Sequence, residues 1–290
     1  MKVGIAGLGR MGSALAGRLV DQQCDLAVWN RSATPLKEPL ASAVTRVEAP
    51  AALWDHCDIV VTSLKDDHAL LDVYLGAGGL LCPKAEGKIA IDTSTVLPAT
   101  VRRLSDKGKA YGCHVLDSPV LGTSTPARSG QLIAMVGGDE QAVECVRPLL
   151  QKLTRKICYL GPSGSGAAMK LSVNIPMSAY WAALSDSLAL AVHHGIAPQE
   201  VIDILADSPA ALAQLRLKRG VLAGTDRQVG FSIDGVIKDL NVIRAAAGQA
   251  LTLPVVEATA QTYRSASKTG AGAEDVAAVA LFRSAAPTVS

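Results

Sequence analysis

Aromatic side chains are scarce in this chain. Only 3% of its 290 residues are Phe, Trp or Tyr, while 49% are hydrophobic. The core must therefore be built from Ala, Val and Leu. Charge of one sign is also lacking: 28 Lys and Arg face 26 Asp and Glu, a formal net charge of +2 without a basic run or arm. That excludes nucleic acid and membrane surfaces as expected partners and leaves room for a local field around a small anion. The six cysteines (Cys24, Cys57, Cys82, Cys113, Cys145, Cys158) fall in no C-x-x-C or other metal-type spacing. They read as reduced, mostly buried thiols of a cytoplasmic protein, with no metal site. No apolar stretch is long and clean enough to span a bilayer. The opening MKVGIAGLG holds an apolar run too short, and too interrupted by glycine, for a signal-peptide core.

What is present is alternation. KVGIA, DLAVWN, DIVVTSL, KIAIDTS, HVLDSPV, LIAMVGG and KICYL read as strands, most of them separated by helix-length segments. Strands that are apolar on both faces and alternate with helices predict an α/β fold, a doubly wound, mostly parallel sheet covered on both sides. After Gly161 the pattern changes. From about Gly166 to His194 the chain reads as one long helix, apolar nearly all round, which Pro176 should kink. Further helices follow, with breaks near Gly195–Pro198, Ser208–Pro209, Gly220–Gly230, Thr252–Pro254 and Gly270–Gly272. The expected domains are 1–161, nucleotide-binding, and 162–290, all helical. A helix buried on every side in so small a domain needs a second subunit to cover it. The tail SAAPTVS is expected to be loose.

KVGIAGLGRMGSALAGRL sets a strand, then Gly7-Leu8-Gly9-Arg10-Met11-Gly12, then a helix. Gly7 permits a tight turn, Gly9 lets a pyrophosphate approach the backbone, and Gly12 lets helix and strand pack closely. The helix start supplies free N–H groups for the phosphates. A lone G-x-G-x-x-G is weak, but the strand before it and the helix after it are the confirming context. The second strand ends in Asn30, Arg31 and Ser32, where NAD binders usually carry an acidic residue for the ribose 2′-hydroxyl. A guanidinium can instead hold a 2′-phosphate by charge-assisted bonds, so NADP(H) is expected over NAD(H). The alternative is that Arg31 is a solvated loop cation. Ser63, Leu64, Lys65, Ser94 and Thr95 follow two later strands and are candidate contacts to the nicotinamide ribose, or else helix caps.

DSPVLGTSTPARSGQLIAMVGG, residues 117–138, runs a strand into a turn rich in small polar residues. Gly122, Thr123, Ser124 and Thr125 offer N–H and hydroxyl donors for a carboxylate; an N-cap cluster serving only the next helix is the alternative. GSGAAMKLSVN, residues 164–174, opens a helix with Lys170 and Asn174 four apart, hence on one face. A charged lysine midway along a buried helix is costly unless it is used. A lysine ammonium can stabilise and protonate a developing alkoxide, and burial favours the neutral amine that the reverse step needs.

With GLGRMG and IKDLNVIRAAA, these segments give the chain its likeness: it resembles the β-hydroxyacid dehydrogenase family, which includes 3-hydroxyisobutyrate dehydrogenases and glyoxylate and semialdehyde reductases. The resemblance covers essentially the whole chain. It implies an N-terminal Rossmann domain, a helical domain joined by a long helix, a small-molecule hydroxy-acid substrate and a homodimer or homotetramer. It makes Lys170 the acid/base and Asn174 a substrate ligand, with Gly164 and Gly166 letting the chain pass close beside the cofactor. It also sets Lys238 and Phe231 beside the cofactor, although Lys238-Asp239 alone reads as a helix-start charge pair. Where members often read PVSGG, this chain reads Pro119-Val120-Leu121-Gly122-Thr123; Leu121 alters the pocket and Thr123 supplies a replacement donor. The leading expectation is thus an NADP(H)-dependent oxidoreductase of a small hydroxy acid. An NADPH-dependent imine reductase on the same scaffold is the runner-up, and such enzymes usually have Asp or Tyr where Lys170 stands. A larger decarboxylating sugar-acid dehydrogenase would need a bigger helical domain. A short-chain dehydrogenase would need a Tyr-x-x-x-Lys pair, which is absent. A module that only holds a dinucleotide would have no use for both Lys170 and Asn174.

Overall fold

The structure, a computed structural model, describes residues 1–32, 35–36, 38 and 40–284. The end of the tail expected to be loose, from residue 285, lies outside the described residues. The chain divides into two compact units, Met1–Leu171 and Ser172–Ser290.

The first unit opens with β1 (Lys2–Ala6), α1 (Arg10–Asp21), β2 (Asp25–Trp29), α2 (Leu40–Ala43) and β3 (Val44–Arg46). It continues through β4 (Ile59–Thr62), α3 (Asp67–Leu75), β5 (Ile89–Asp92), α4 (Pro98–Lys109) and β6 (His114–Asp117). These strands form one sheet in the order β3-β2-β1-β4-β5-β6, every pair parallel. Both faces of the strands are apolar. Leu15 and Leu19 of α1 belong to one buried cluster with Val3 and Ile5, and Leu70 and Leu104 of α3 and α4 belong to another with Val60 and Ala90. The strand order reverses between β1 and β4, so the crevice of a doubly wound sheet opens at their carboxyl ends.

The doubly wound, parallel sheet is as expected, but it does not take up every strand. A second, three-stranded sheet follows, built from β7 (Val120–Leu121), β8 (Leu132–Val136) and β9 (Thr154–Tyr159), with α5 (Ser124–Arg128) and α6 (Glu140–Leu153) between them. HVLDSPV, read as one strand, is cut after Asp117. Pro119 has no N–H to give a ladder, and the Asp117 backbone exchanges hydrogen bonds with Gly137 at 2.8 and 3.1 Å instead. Val120–Leu121 then pairs antiparallel with β8. The three-residue β3, too short and polar to show alternation, was not expected either.

The long helix is α7 (Ser165–His193), helical straight through Pro176. It is not covered all round: Trp181 and Leu188 are fully buried, but Leu190 is 63% exposed. The second unit adds α8 (Pro198–Asp207), α9 (Ala213–Leu217), α10 (Arg219–Leu222), α11 (Ile233–Ala247) and α12 (Pro254–Lys268). Pro198 and Pro254 occupy first helical positions, and the Ser232 hydroxyl caps α11 by accepting from Gly235 N–H at 3.1 Å, which is why helices start after those expected breaks; the break expected from Gly220 begins later, because Gly220 lies inside α10. None of the described helices is long and apolar enough to cross a membrane. All six cysteines are free thiols; Cys24, Cys57 and Cys113 are buried, Cys82 and Cys158 half-buried and Cys145 exposed, so half rather than most are buried.

A buried polar network ties the carboxyl ends of β4 and β5. The hydroxyls of Thr62 and Ser94 each donate to Asp92 Oδ1 at 2.7 Å, and Ser94 Oγ accepts from Leu64 N–H at 2.9 Å. Burial pushes the Asp92 carboxyl up to about 6, the hydroxyl donors pull against that shift, and neighbouring Asp117 adds to it. A native value above the ordinary 3.8 means that the folded chain binds this proton more tightly than the unfolded one. The resulting stabilisation is full below the unfolded value and is lost as pH rises through the folded one. In urea unfolding, the stability of wild type relative to Asp92→Asn should fall by up to ~3 kcal/mol between pH 4 and pH 7. A difference that stays constant with pH would assign the titration elsewhere.

Candidate active site

The glycine turn between β1 and α1 has the form its spacing predicts. Gly7 has φ +96°, and a Cβ there would lie 2.4 Å from Ser63 O. A Cβ on Gly12 would lie 1.9 Å from Gly7 O, which only a bare α-carbon tolerates. Gly9 differs, since a Cβ there would meet nothing within 4 Å. The fold does not require glycine at that position, so the space above it fits a ligand phosphate. Gly9 is also the N-cap of α1 and provides no side-chain acceptor for the helix-start N–H groups. A cleft of ≈ 640 Å³ opens here, lined by Leu8, Arg10, Ser13, Asn30, Ser124 and Arg128 among others. The glycine approach, the open donors and the cleft together fit a dinucleotide. The side chains of Leu8 and Met11 are partly buried against the core, and Leu8 also lines the cleft.

Asn30 braces this turn. Its Oδ1 accepts from Leu8 N–H at 2.9 Å, and its Nδ2 donates to Ser32 Oγ at 2.8 Å. Both ends of the amide are engaged by protein, and the carboxylate that lines the cleft with Leu8, Arg10 and Asn30 is that of Glu38, beyond the end of β2. Arg31 and Ser32 are exposed. Arg46, at the end of β3, donates from Nη2 to Ser32 O at 2.8 Å. Sequence reasoning missed this second guanidinium beside the 30–32 turn, because the short β3 that carries it has no pattern of its own.

Ser63 and Leu64 lie over the glycine turn, and the Leu64–Ser94 hydrogen bond joins their loop to the one after β5. Ser94 is buried, Thr95 half-buried and Lys65 exposed. The structure therefore brings Gly7, Gly12, Ser63, Leu64 and Ser94 together and leaves Lys65 at the surface.

At the reacting segment, Leu121 pairs with Ile133 in the small sheet. Gly122 has φ +124°, and a Cβ there would lie 2.6 Å from Leu132. Thr123 stands at the N-cap of α5, yet its hydroxyl makes no cap bond. Ser124 and Thr125 line the same cleft as Leu8 and Arg10. Lys170 is half-buried, and its Nζ donates to Val120 O at 2.8 Å. The amine thus rests on the strand that leads directly into Leu121, Gly122 and Thr123. The glycines before it serve a different neighbour from the one expected. A Cβ on Gly166 would lie 2.2 Å from Met135 O, and one on Gly164 would lie 3.0 Å from Pro98 O. The close approach that these glycines permit is to the protein itself.

In the second unit, buried Asn174 donates from Nδ2 to Asp239 Oδ2 at 2.8 Å. The other oxygen of Asp239 lies 2.6 Å from Lys238 Nζ. Phe231 packs on Gly235. Asp239, which the sequence suggests is half of an ordinary charge pair, is buried and joins both residues singled out around it. The contact spans 65 residues, and no local pattern reports it.

A doubly wound sheet, an open glycine turn at its first helix and a lysine on the following segment define a dinucleotide-dependent oxidoreductase. The comparisons with known proteins narrow the class. Residues 2–161 match the model of the NAD-binding domain of 6-phosphogluconate dehydrogenase. Residues 164–282 match that described as NAD-binding of NADP-dependent 3-hydroxyisobutyrate dehydrogenase. Glyoxylate/succinic semialdehyde reductase 1 of Arabidopsis thaliana is 31% identical over 280 residues, covering 96% of this chain and 97% of that one. Among solved structures, 3-hydroxyisobutyrate dehydrogenase of Mycobacterium tuberculosis, with L-serine, superposes with a TM-score of 0.80 at 24% identity, covering 96% and 97% of the two chains. An imine reductase from a Pseudomonas species has the same fold, with a TM-score of 0.61 at 19% identity and coverage of 96% and 97%. The chain belongs to the β-hydroxyacid dehydrogenase family, and it is an NAD(P)-dependent oxidoreductase.

The two glycines should separate by assay. Gly9→Ala should unfold like wild type yet lose dinucleotide affinity about tenfold or more in a fluorescence titration, because its methyl enters only ligand space. Gly12→Ala should lose binding and also unfold at lower urea, because its methyl strikes backbone. Equal stability losses in the two variants would contradict this division of roles.

Proposed function

We propose that the protein interconverts a small hydroxy acid, of the 3-hydroxy type, with its aldehyde or ketone, using NADP(H) in preference to NAD(H), with Lys170 as general acid/base. The observation that carries the reading is the hydrogen bond from Lys170 Nζ to Val120 O, 2.8 Å, which holds an amine on the segment that continues into a donor-rich turn. When bound, the nicotinamide supplies or takes up the hydride. The Lys170 ammonium protonates the carbonyl oxygen as it gains charge, and the neutral amine takes the proton back in the reverse direction. The N–H groups and hydroxyls of Gly122, Thr123 and Ser124 hold the substrate carboxylate, with Leu121 as an apolar wall beside them. Asn174, one turn further along α7, offers the substrate its amide. The cofactor roles of Phe231 and Lys238 rest on the family resemblance. Arg31, with Arg46 behind it, is the ligand for a 2′-phosphate, and this charge is what favours NADP(H). The same reading makes the protein a cytoplasmic homodimer or homotetramer.

NADPH consumption followed with a panel of small semialdehydes, keto acids and cyclic imines tests the substrate class. Turnover of acids supports this reading, and turnover of imines alone supports an imine reductase. Lys170→Ala should lower kcat by about 10²–10⁴ while NADPH still binds; full activity would remove Lys170 from the chemistry. Arg31→Ala should reduce the ratio of NADPH to NADH efficiency by about tenfold or more, the loss of one charge-assisted bond. An unchanged ratio would place cofactor choice elsewhere.

A further inference from the structure

Asp117, fully buried at the end of β6, is unused in the mechanism above, and a buried carboxylate is costly unless its oxygens are engaged. Here both are. Oδ1 accepts from Gly164 N–H and Oδ2 from Ala167 N–H, each at 2.8 Å. These donors belong to the start of α7, where N–H groups have no intrahelical acceptor. Asp117 therefore acts as a cap supplied from 47 and 50 residues away. Its own backbone is fixed by the paired bonds to Gly137. The site is also tight, since a Cβ on Gly137 would lie 2.8 Å from Oδ1 and one on Gly166 3.0 Å from Oδ2.

The same short segment reaches the lysine. Val120, three residues after Asp117, accepts from Lys170, and Lys170 lies three residues after Ala167. Asp117, Val120, Lys170 and Ala167 close a ring in which the carboxylate fixes the helix start and the carbonyl receives the amine. Neither rotation nor sliding of the helix start is possible without breaking one side of that ring. We propose that Asp117 is the positioning residue for the Lys170 amine, setting the register and rotation of the first turn of α7. This rests on the reading of Lys170 as acid/base. The electrostatics agree: burial raises the Asp117 carboxyl above its ordinary range, and the N–H groups of Gly164 and Ala167 pull it back toward the charged form.

A displacement of about 1 Å at a reacting group can cost about 10²-fold in rate. Asp117→Asn and Asp117→Ser should therefore lower kcat, counted per NADPH-binding site, by about 10–100-fold, with the NADPH Kd held within about threefold. In a Lys170→Ala background Asp117→Asn should cost little more, because it acts through an amine already gone. Equal fold-losses in the two backgrounds, or kcat per site unchanged in both single variants, would overturn the proposal. Full activity of Lys170→Ala would instead overturn the acid/base reading itself. Hydrogen exchange in wild type reads the clamp whether or not the variants fold. The amides of Gly164 and Ala167 should be among the slow ones, and fast exchange there removes the clamp.

Discussion

Every α-helix begins with N–H groups that its own backbone cannot satisfy, and this chain treats two such starts in opposite ways. At α7 the donors are closed by protein: Asp117 takes Gly164 and Ala167, and the helix becomes a fixed mount for Lys170. At α1 the N-cap is Gly9, which brings no side chain to the donors and has empty space where a Cβ would stand. The first start is fixed by an internal anion, and the second suits an external one. The positive end of a helix dipole favours negative charge in both places. What differs is whether the sequence supplies the charge or leaves the position to a ligand.

The rest of the first unit keeps those two starts in place. Bare α-carbons at Gly7, Gly12, Gly137 and Gly166 bring backbone against backbone, or backbone against carboxylate, at separations that no side chain would permit. Asn30 ties the glycine turn to the end of β2, and Ser94 ties the loop after β4 to the one after β5. Each tie is a single hydrogen bond of modest net worth. Together they leave the loops at the carboxyl ends of β1, β2, β4 and β5 little freedom to rearrange.

Much of this is legible in the sequence because it is local. The spacing of Gly7, Gly9 and Gly12 between strand and helix declares the turn, and the predominance of Ala, Leu, Met and Ser declares α7 even through Pro176. Lys170 stands out because a charge among Ala167, Ala168, Met169, Leu171 and Val173 has to be explained. What the sequence hides is pairing over distance. Asp117 sits in HVLDSPV like any strand-end residue, and nothing nearby says that its partners are 47 and 50 residues away. Asp239 beside Lys238 looks like a surface pair until Asn174 is found against it. The division of HVLDSPV has a local sign, since Pro119 has no N–H for a ladder, while the antiparallel partner of Val120 and Leu121 is set by β8 further along the chain.

Two buried carboxylates on adjacent strands raise a last question of charge. Asp92 and Asp117 are register partners on β5 and β6, and a negative charge on Asp117 disfavours one on Asp92. The donors around the two differ. Asp92 receives its bonds from Ser94 and Thr62, and its Oδ2 has no partner. Asp117 receives backbone N–H groups at a helix start, where the dipole itself favours an anion. Burial raises both carboxyls, Asp92 to about 6, the hydrogen bonds to each pull the other way, and Asp117 adds to the Asp92 shift only as the last of its causes. The clamp on α7 and the titration beneath Ser94 follow from one constraint, burial, which raises each carboxyl and which each set of donors opposes.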